Sequence, residues 1–177
     1  MKMILFLMAV LVLGSACSSG KVKSSYKKDT DFSKFKTYGW ILGIKVNPDD
    51  ELSKHPRVLK RVENSVNKAL QEKGFKLGEA ENADFVVAVH GAAETKTQVN
   101  QIAGPTTWGV YDGGYISLGY VDEGTLVIDV IDPVAKAIVW RGAGSSILKN
   151  YRDSQAEEMQ QDLDVMVAKI MKSFPPQ

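Results

Sequence analysis

The sequence predicts an α+β fold, a two-layer sandwich in which a mainly antiparallel sheet carries two helices packed on one face. Three observations predict it. Two segments, starting near Pro56 and near Ser154, repeat apolar residues at spacings of three and four, the period of a helix with one buried stripe. Several shorter runs rich in valine, isoleucine, threonine and aromatic residues read as strands. Two of these, at 125–131 and 137–141, are joined by only five residues, and a parallel return needs a dozen or more, so they are antiparallel neighbours. One-sided helices must lay their stripes on something apolar, and the strands supply that surface.

In chain order, residues 22–26 and 37–41 are read as the first two strands, separated by a turn at 29–34. Residues 47–54, polar and containing Pro48, are a loop. Pro56 then suits the first position of a helix, where its missing N–H would have been unpaired in any case. Leu59, Val62, Val66, Ala69 and Leu70 form its stripe; Lys60, Arg61, Glu63, Asn64, Asn67 and Lys68 take the other sides. Gly74 ends it with a left-handed cap. The continuous apolar run at 85–89 suits a strand buried on both faces. The last helix opens on Ser154-Gln155-Ala156-Glu157, read as a reciprocal capping box. Its stripe is Met159, Leu163, Met166, Val167, Ile170 and Phe174, with Asp164 assigned to the opposite, solvent side, and Pro175-Pro176 closes it.

The N-terminus is a separate matter. Residues 1–16 carry one charge, Lys2, followed by an apolar run from Met3 to Leu13. That run fits the core of a signal peptide, about 7–15 residues, and is shorter than the roughly 20 a membrane span needs. Small residues Gly14-Ser15-Ala16 then precede Cys17, the only cysteine of the chain. The segment from Leu13 to Cys17 resembles a bacterial lipobox, with glycine standing where leucine is usual. The resemblance implies that Cys17 is acylated and becomes the mature N-terminus, with residues 17–21 as a tether and 22–177 as a single domain. By resemblance to sorting in Gram-negative bacteria, Ser18 after the cysteine implies the outer membrane, with the domain facing the periplasm. An unpaired, unmodified cysteine would be an oddity in a secreted protein.

Several further segments carry a second resemblance: Asp31-Phe32-Ser33-Lys34-Phe35, Lys36-Thr37-Tyr38 with Trp40, Lys73-Gly74-Phe75, Asp84, the Glu123 to Asp129 strand, and Val139-Trp140-Arg141-Gly142. Together they resemble the lipoproteins grouped as domain of unknown function 4136 (DUF4136). That resemblance implies a lipoprotein domain of unassigned activity. The family usually has a glycine near Lys136, so the 133–136 turn is expected to differ here.

Charge and motif content narrow the function classes. The chain has 22 Lys and Arg against 21 Asp and Glu; without Lys2 the count is 21 against 21, a neutral domain. Such a domain has no basic field for nucleic acid, and membrane attachment rests on the acyl chains. His55 and His90 lie in different elements with no ligand at metal spacing, so no metal site and no cofactor is expected. There is no phosphate-binding Gly-Lys-Ser/Thr loop and no Gly-x-Ser-x-Gly elbow. Residues 142–146 follow a strand without a helix start, and Gly144 and Ser145 are read as its fraying end. Asp129 inside an apolar strand is expected to pair with Arg141 across the hairpin, or with the Trp140 N–H. Asp122 and Glu123 have nothing between them to activate. No catalytic residues are assigned.

Residues 95–124 are read as a long glycine and aromatic loop, since connections of this length are uncommon and often functional. The alternative is a protruding hairpin with a strand at 115–120. Trp108 and Tyr111 are the candidate partner-binding residues. The expected function is an envelope lipoprotein held to the membrane by its lipid, a non-catalytic module for an envelope protein or cell-wall component. The alternatives are a purely structural envelope domain, or an enzyme of unfamiliar type.

Overall fold

The period-two segments pair into one six-stranded sheet in the order β1-β6-β5-β4-β2-β3. The strands are β1 (Lys21–Tyr26), β2 (Thr37–Trp40), β3 (Lys76–Leu77), β4 (Phe85–Ile102), β5 (Tyr115–Asp132) and β6 (Ala137–Ile147). The computed structural model describes residues 21–41, 50–102 and 115–176. β1, β6, β5 and β4 are antiparallel in succession, while β4–β2 and β2–β3 are parallel. The parallel edge follows from α1 (Pro56–Glu72), which lies between β2 and β4 in the chain and supplies the long crossover that parallel strands need. With α2 (Ala156–Met171), it covers one face of the sheet. No helix among the described residues is long and apolar enough to cross a membrane.

The core is aromatic at one end. Phe85 of β4 has the rings of Phe35, Phe75, Phe174 and Tyr38 within 5.1–5.9 Å, centroid to centroid. Trp140 of β6 extends the cluster through Phe174 at 5.2 Å. Val62, Val66, Ala69 and Leu70 of α1, and Val167, Ile170 and Met171 of α2, complete it. Leu59, Leu163 and Met166 of the two stripes are only partly buried. Gly142 and Gly144 of β6 have no room for a side chain, because the Trp140 ring and α2 lie against Gly142 and α2 lies against Gly144. A Cβ at Gly142 would stand 2.6 Å from Ile170 Cγ2, and one at Gly144 2.8 Å from Met166 Sδ.

Polar side chains fix how the layers meet. Asp84, just before β4, accepts hydrogen bonds from the Lys36 and Thr37 N–H groups and the Thr37 hydroxyl at 2.8–2.9 Å, tying the entrances of the parallel pair β2–β4 together. These bonds hold its carboxyl below the usual range. Asp31 caps the short 3-10 helix at Phe32–Lys34 by accepting from the Ser33 N–H and hydroxyl. Asn67 belongs to the interior rather than to the solvent side of α1: its Oδ1 accepts from Tyr38 Oη and Trp40 Nε1, both at 2.9 Å.

Four expectations are corrected. The 95–124 segment is a hairpin ladder in its described part, paired from Thr95↔Asp122 out to Ile102↔Tyr115, beyond the last β5–β6 pair at Glu123↔Ile147. Eight such pairs extend about 25 Å at 3.3 Å per residue. The hairpin alternative therefore holds, and Thr95, Thr97 and Val99 give the β-branched alternation of an ordinary strand. β6 does not fray at Gly144 and Ser145: Ser145 pairs with both Lys21 and Thr125. Ser154 does not cap α2. A 3-10 turn at Asp153–Gln155 precedes the helix, Gln155 is its N-cap without a side-chain bond, and Gln155 Oε1 instead accepts from the Arg152 N–H at 3.2 Å. Asp164 is not on the solvent side either. It accepts from Ser65 Oγ at 2.6 Å, Lys68 Nζ at 2.7 Å and Gln160 Nε2 at 3.0 Å, joining α2 to α1. These contacts, Gln160 to the Arg61 carbonyl included, show the helices running parallel, with both N-termini at one end.

Gly74 meets its expectation, and the 133–136 turn keeps a glycine-like conformation at Lys136. Gly74 has φ +90°, the left-handed cap foreseen for α1. The 133–136 turn starts with Asp132 accepting from the Val134 and Ala135 N–H groups, and Lys136 takes φ +50°, a conformation glycine adopts without strain.

Asp164 has its pKa lowered to about 2 by the hydrogen bonds of Lys68 and Ser65. A depressed carboxylate adds stability that is present above its unfolded value and is lost as pH falls through the folded one. Asp164→Asn is therefore expected to cost about 2 kcal/mol near neutrality, and urea titrations should show the difference from wild type vanishing between pH 4 and pH 2. Leu163→Ala, at a half-buried site, should cost about 2 kcal/mol in the same assay, the low end for a leucine. At the turn, Lys136→Gly is expected to keep or raise stability. Lys136→Val should lower it by about 1–2 kcal/mol, because a β-branched residue resists positive φ.

Candidate functional site

The aromatic cluster fills one end of the space between sheet and helices, and the residues facing the helices shrink toward the other. Across the strands the rows read Val87-Val130-Trp140, then Val89-Ile128-Gly142, then Gly91-Leu126-Gly144, then Ala93-Gly124-Ser146. Over the last two rows the helices leave an open cavity of about 480 Å³. Its walls come from Leu52, Val58 and Val62 on one side and Met159, Leu163 and Met166 on the other. The size falls within the range of small-molecule sites, about 300–1,000 Å³. Leu148, after β6, folds over Gly124, where an added Cβ would lie 2.4 Å from its Cδ2.

The mouth is polar. Tyr151 Oη makes a short hydrogen bond to Asp162 Oδ2, which also takes Lys149 Nζ at 2.5 Å. Burial, first, and the Asp162 carboxylate, second, push the Tyr151 phenol well above its ordinary value. Lys149 and Tyr151 hold the Asp162 carboxyl below its own. Beyond Tyr151 and Met159 the cavity adjoins a second cleft of about 350 Å³. This cleft lies between the N-termini of α1 and α2 and is lined by Lys54, Arg57, Arg61 and Arg152, with no carboxylate in its lining. His55 stands at the α1 N-cap without a side-chain cap bond and reaches Glu51 at 3.4 Å.

The other titratable cluster is on the open face of the sheet. Asp129 and Arg141 are directly opposed and form a two-pronged pair, Nε to Oδ1 at 2.6 Å and Nη2 to Oδ2 at 2.7 Å. The Asp129 side chain is 2% exposed and that of Arg141 49%. The expected cross-strand pair is therefore present. The Trp140 alternative is not, because Trp140 faces the helices; its Nε1 is buried without a partner among the described residues. His90 lies between two carboxylates, 3.5 Å from Asp50 and 3.6 Å from Asp129. Asp50 also accepts the Gly91 and Leu52 N–H groups, so it anchors the 3-10 helix at Glu51–Lys54 to the edge of β4. The cluster contains no nucleophile, and no group of three or more metal-ligating side chains is present among the described residues. Asp122 and Glu123 are engaged with Thr95 Oγ1 and Lys96 Nζ, both at 2.6 Å.

Cys17, Trp108 and Tyr111 lie outside the described residues. The cavity and the basic cleft were not singled out from sequence. The available signals were the parity of Gly91, Ala93, Gly124, Gly144 and Ser146, and the four-residue spacing of Arg57 and Arg61, which places both on one side of α1.

No curated protein matches the chain. Among solved structures, it is similar to a PDZ domain protein from Parabacteroides distasonis, at 15% identity and TM-score 0.56, covering 89% of this chain and 36% of that one. The chain thus spans about a third of that protein's length, and the likeness is one of fold. PelC from Paraburkholderia phytofirmans, described as a dodecamer, is similar at 16% identity and TM-score 0.46, covering 86% and 95%. A homolog of the putative neuraminyllactose-binding hemagglutinin from Helicobacter pylori follows at 14% identity and TM-score 0.44, covering 80% and 86%. The family model for the domain of unknown function DUF4136 matches residues 22–176, and the chain belongs to that family.

Proposed function

We propose that this chain is an envelope lipoprotein, anchored through an acylated Cys17, whose domain is a non-catalytic binding module. The observation that carries the binding reading is the open apolar cavity at the small-residue end of the sheet. A core that needed only stability would be filled there, because interiors are close-packed and voids cost free energy. Here the rows Gly91-Leu126-Gly144 and Ala93-Gly124-Ser146 border an open cavity of about 480 Å³ beside Leu52, Met159 and Leu163. The clustered titratable groups have structural work: Asp129 is neutralised by Arg141, and Asp164 and Asp84 hold elements together. The anchor reading rests on the lone cysteine after a small-residue cleavage site, and the outer membrane on Ser18. In the same reading, Trp108 and Tyr111, between β4 and β5 in the sequence, contact an envelope partner.

Cys17→Ser is expected to leave unprocessed or soluble protein, and mass spectrometry should find the wild-type mature N-terminus acylated; an unmodified Cys17 thiol would sink the anchor. Recovery of the wild type in the inner-membrane fraction would reject the outer-membrane assignment. For the binding module, the full chain carrying Cys17→Ser should retain components of isolated envelope fractions. Replacing Trp108 and Tyr111 together by alanine should weaken that retention without moving the melting temperature. Unchanged retention with a lower melting temperature would assign the two residues to the fold instead.

A further inference from the structure

We propose that the apolar cavity takes an acyl chain of the lipid carried by this chain's own Cys17. The inference deepens the reading of an anchored binding module and rests on it. The walls suit a run of methylenes: Leu52, Val62, Leu126, Met159, Leu163 and Met166 line a space of about 480 Å³. Methionine is unbranched and polarizable, so a wall with two of them adapts to a ligand of no fixed shape. The charged side chains in the lining, Glu51, Lys149 and Asp162, are each paired already. Lys149 donates to Asp162 at 2.5 Å, and the Tyr151 hydroxyl donates to the same carboxylate. Glu51 accepts from Lys54 at 2.9 Å and stands 3.4 Å from His55. A lining balanced in this way does not call for a charged head, and an acyl chain bound covalently to the protein brings none.

Position names the source of the chain. β1 begins at Lys21 opposite Ser145, and Val22 lies opposite Gly144, so β1 starts against the strand whose Gly144 and Ser146 border the cavity. Cys17 is four residues before Lys21, a reach of at most about 14 Å. An acyl chain fixed so near meets the cavity at a far higher effective concentration than a lipid that must arrive from elsewhere. The bilayer competes for it, because both places remove the same methylenes from water. A single acyl chain holds a protein to a membrane only marginally, so stable anchoring takes more than one signal. Withdrawing one chain into the cavity therefore loosens the anchor without breaking a bond, and the cavity sets how firmly the domain is held.

The test uses the full chain made in its native host from palmitate carrying a diazirine at the end of the acyl chain, irradiated in intact envelopes. Mass spectrometry then locates the label and the residues it has joined. The expected result is a labelled Cys17 peptide cross-linked to cavity residues, Met159, Leu163 or Met166 foremost, in protein that still runs as a monomer. Ser146→Trp, which takes up space beside the cavity, should abolish those cross-links and leave the label on Cys17. Should that variant fail to fold, the cross-links of the wild type decide the matter alone. A labelled Cys17 that joins only membrane lipid or the outer surface of the domain would overturn the proposal and leave the anchor standing. Cavity residues joined to free lipid instead of the Cys17 peptide would overturn the source of the chain, as would cavity cross-links confined to covalent dimers. A Cys17 without label would bring down the anchor and the proposal together.

Discussion

Phe85 is where every layer of this domain converges. Its ring meets Phe35 from the turn before β2, Tyr38 from β2 itself, Phe75 from the exit of α1 and Phe174 from the end of α2. These groups are far apart in sequence, so the cluster closes the crossover through α1 and docks the C-terminal helix in one step. Aromatic rings bury large area with few rotatable bonds, which suits a site that must hold several elements at once. Asp84, immediately before Phe85, adds direction by binding the backbone at the entrance of β2 and fixing the parallel register.

Once that end is clamped, the other is free to differ. The two helices run parallel from the cavity to the aromatic cluster, held along their length by Asp164, Ser65, Lys68 and Gln160. Their C-terminal halves lie on large side chains, or directly on glycine where β6 comes close. Their N-terminal halves stand over a floor of small residues, where the structure leaves space and collects basic groups. One end of the sandwich is packed with aromatic rings, and the other holds an open cavity.

The sheet face away from the helices shows how a charge is kept inside a strand. Asp129 is buried among apolar neighbours, and the Arg141 guanidinium answers it with two hydrogen bonds across the hairpin. Removing either partner would leave an uncompensated charge or an emptied site, which is why such pairs persist even where they add little net stability. His90 and Asp50 extend this polar row to the edge of β4.

The sequence by itself determined the local elements and the fold class. Periodicity gave both helices and their stripes, Pro56 and Gly74 marked the ends of α1, and the five-residue connection dictated an antiparallel β5–β6 pair, because these are short-range consequences of backbone geometry. The partner of Asp129 was legible too, since a charge in an apolar strand must be answered by its cross-strand neighbour. What lay beyond reach depended on which residues meet across the fold. Asp164 looked like surface until α1 was found beside it, and the capping box at Ser154 gave way to a 3-10 turn that local pattern does not announce. The cavity was hidden for the same reason. Gly91, Gly124 and Gly144 are ordinary strand glycines one at a time, and register brings them to one end of the sheet, where Leu52, Leu148 and Met166 close on them beside the cavity. Likewise Arg57 and Arg61 of α1 join Arg152 only through tertiary packing, because a cleft is a property of distance in space, which sequence separation does not encode.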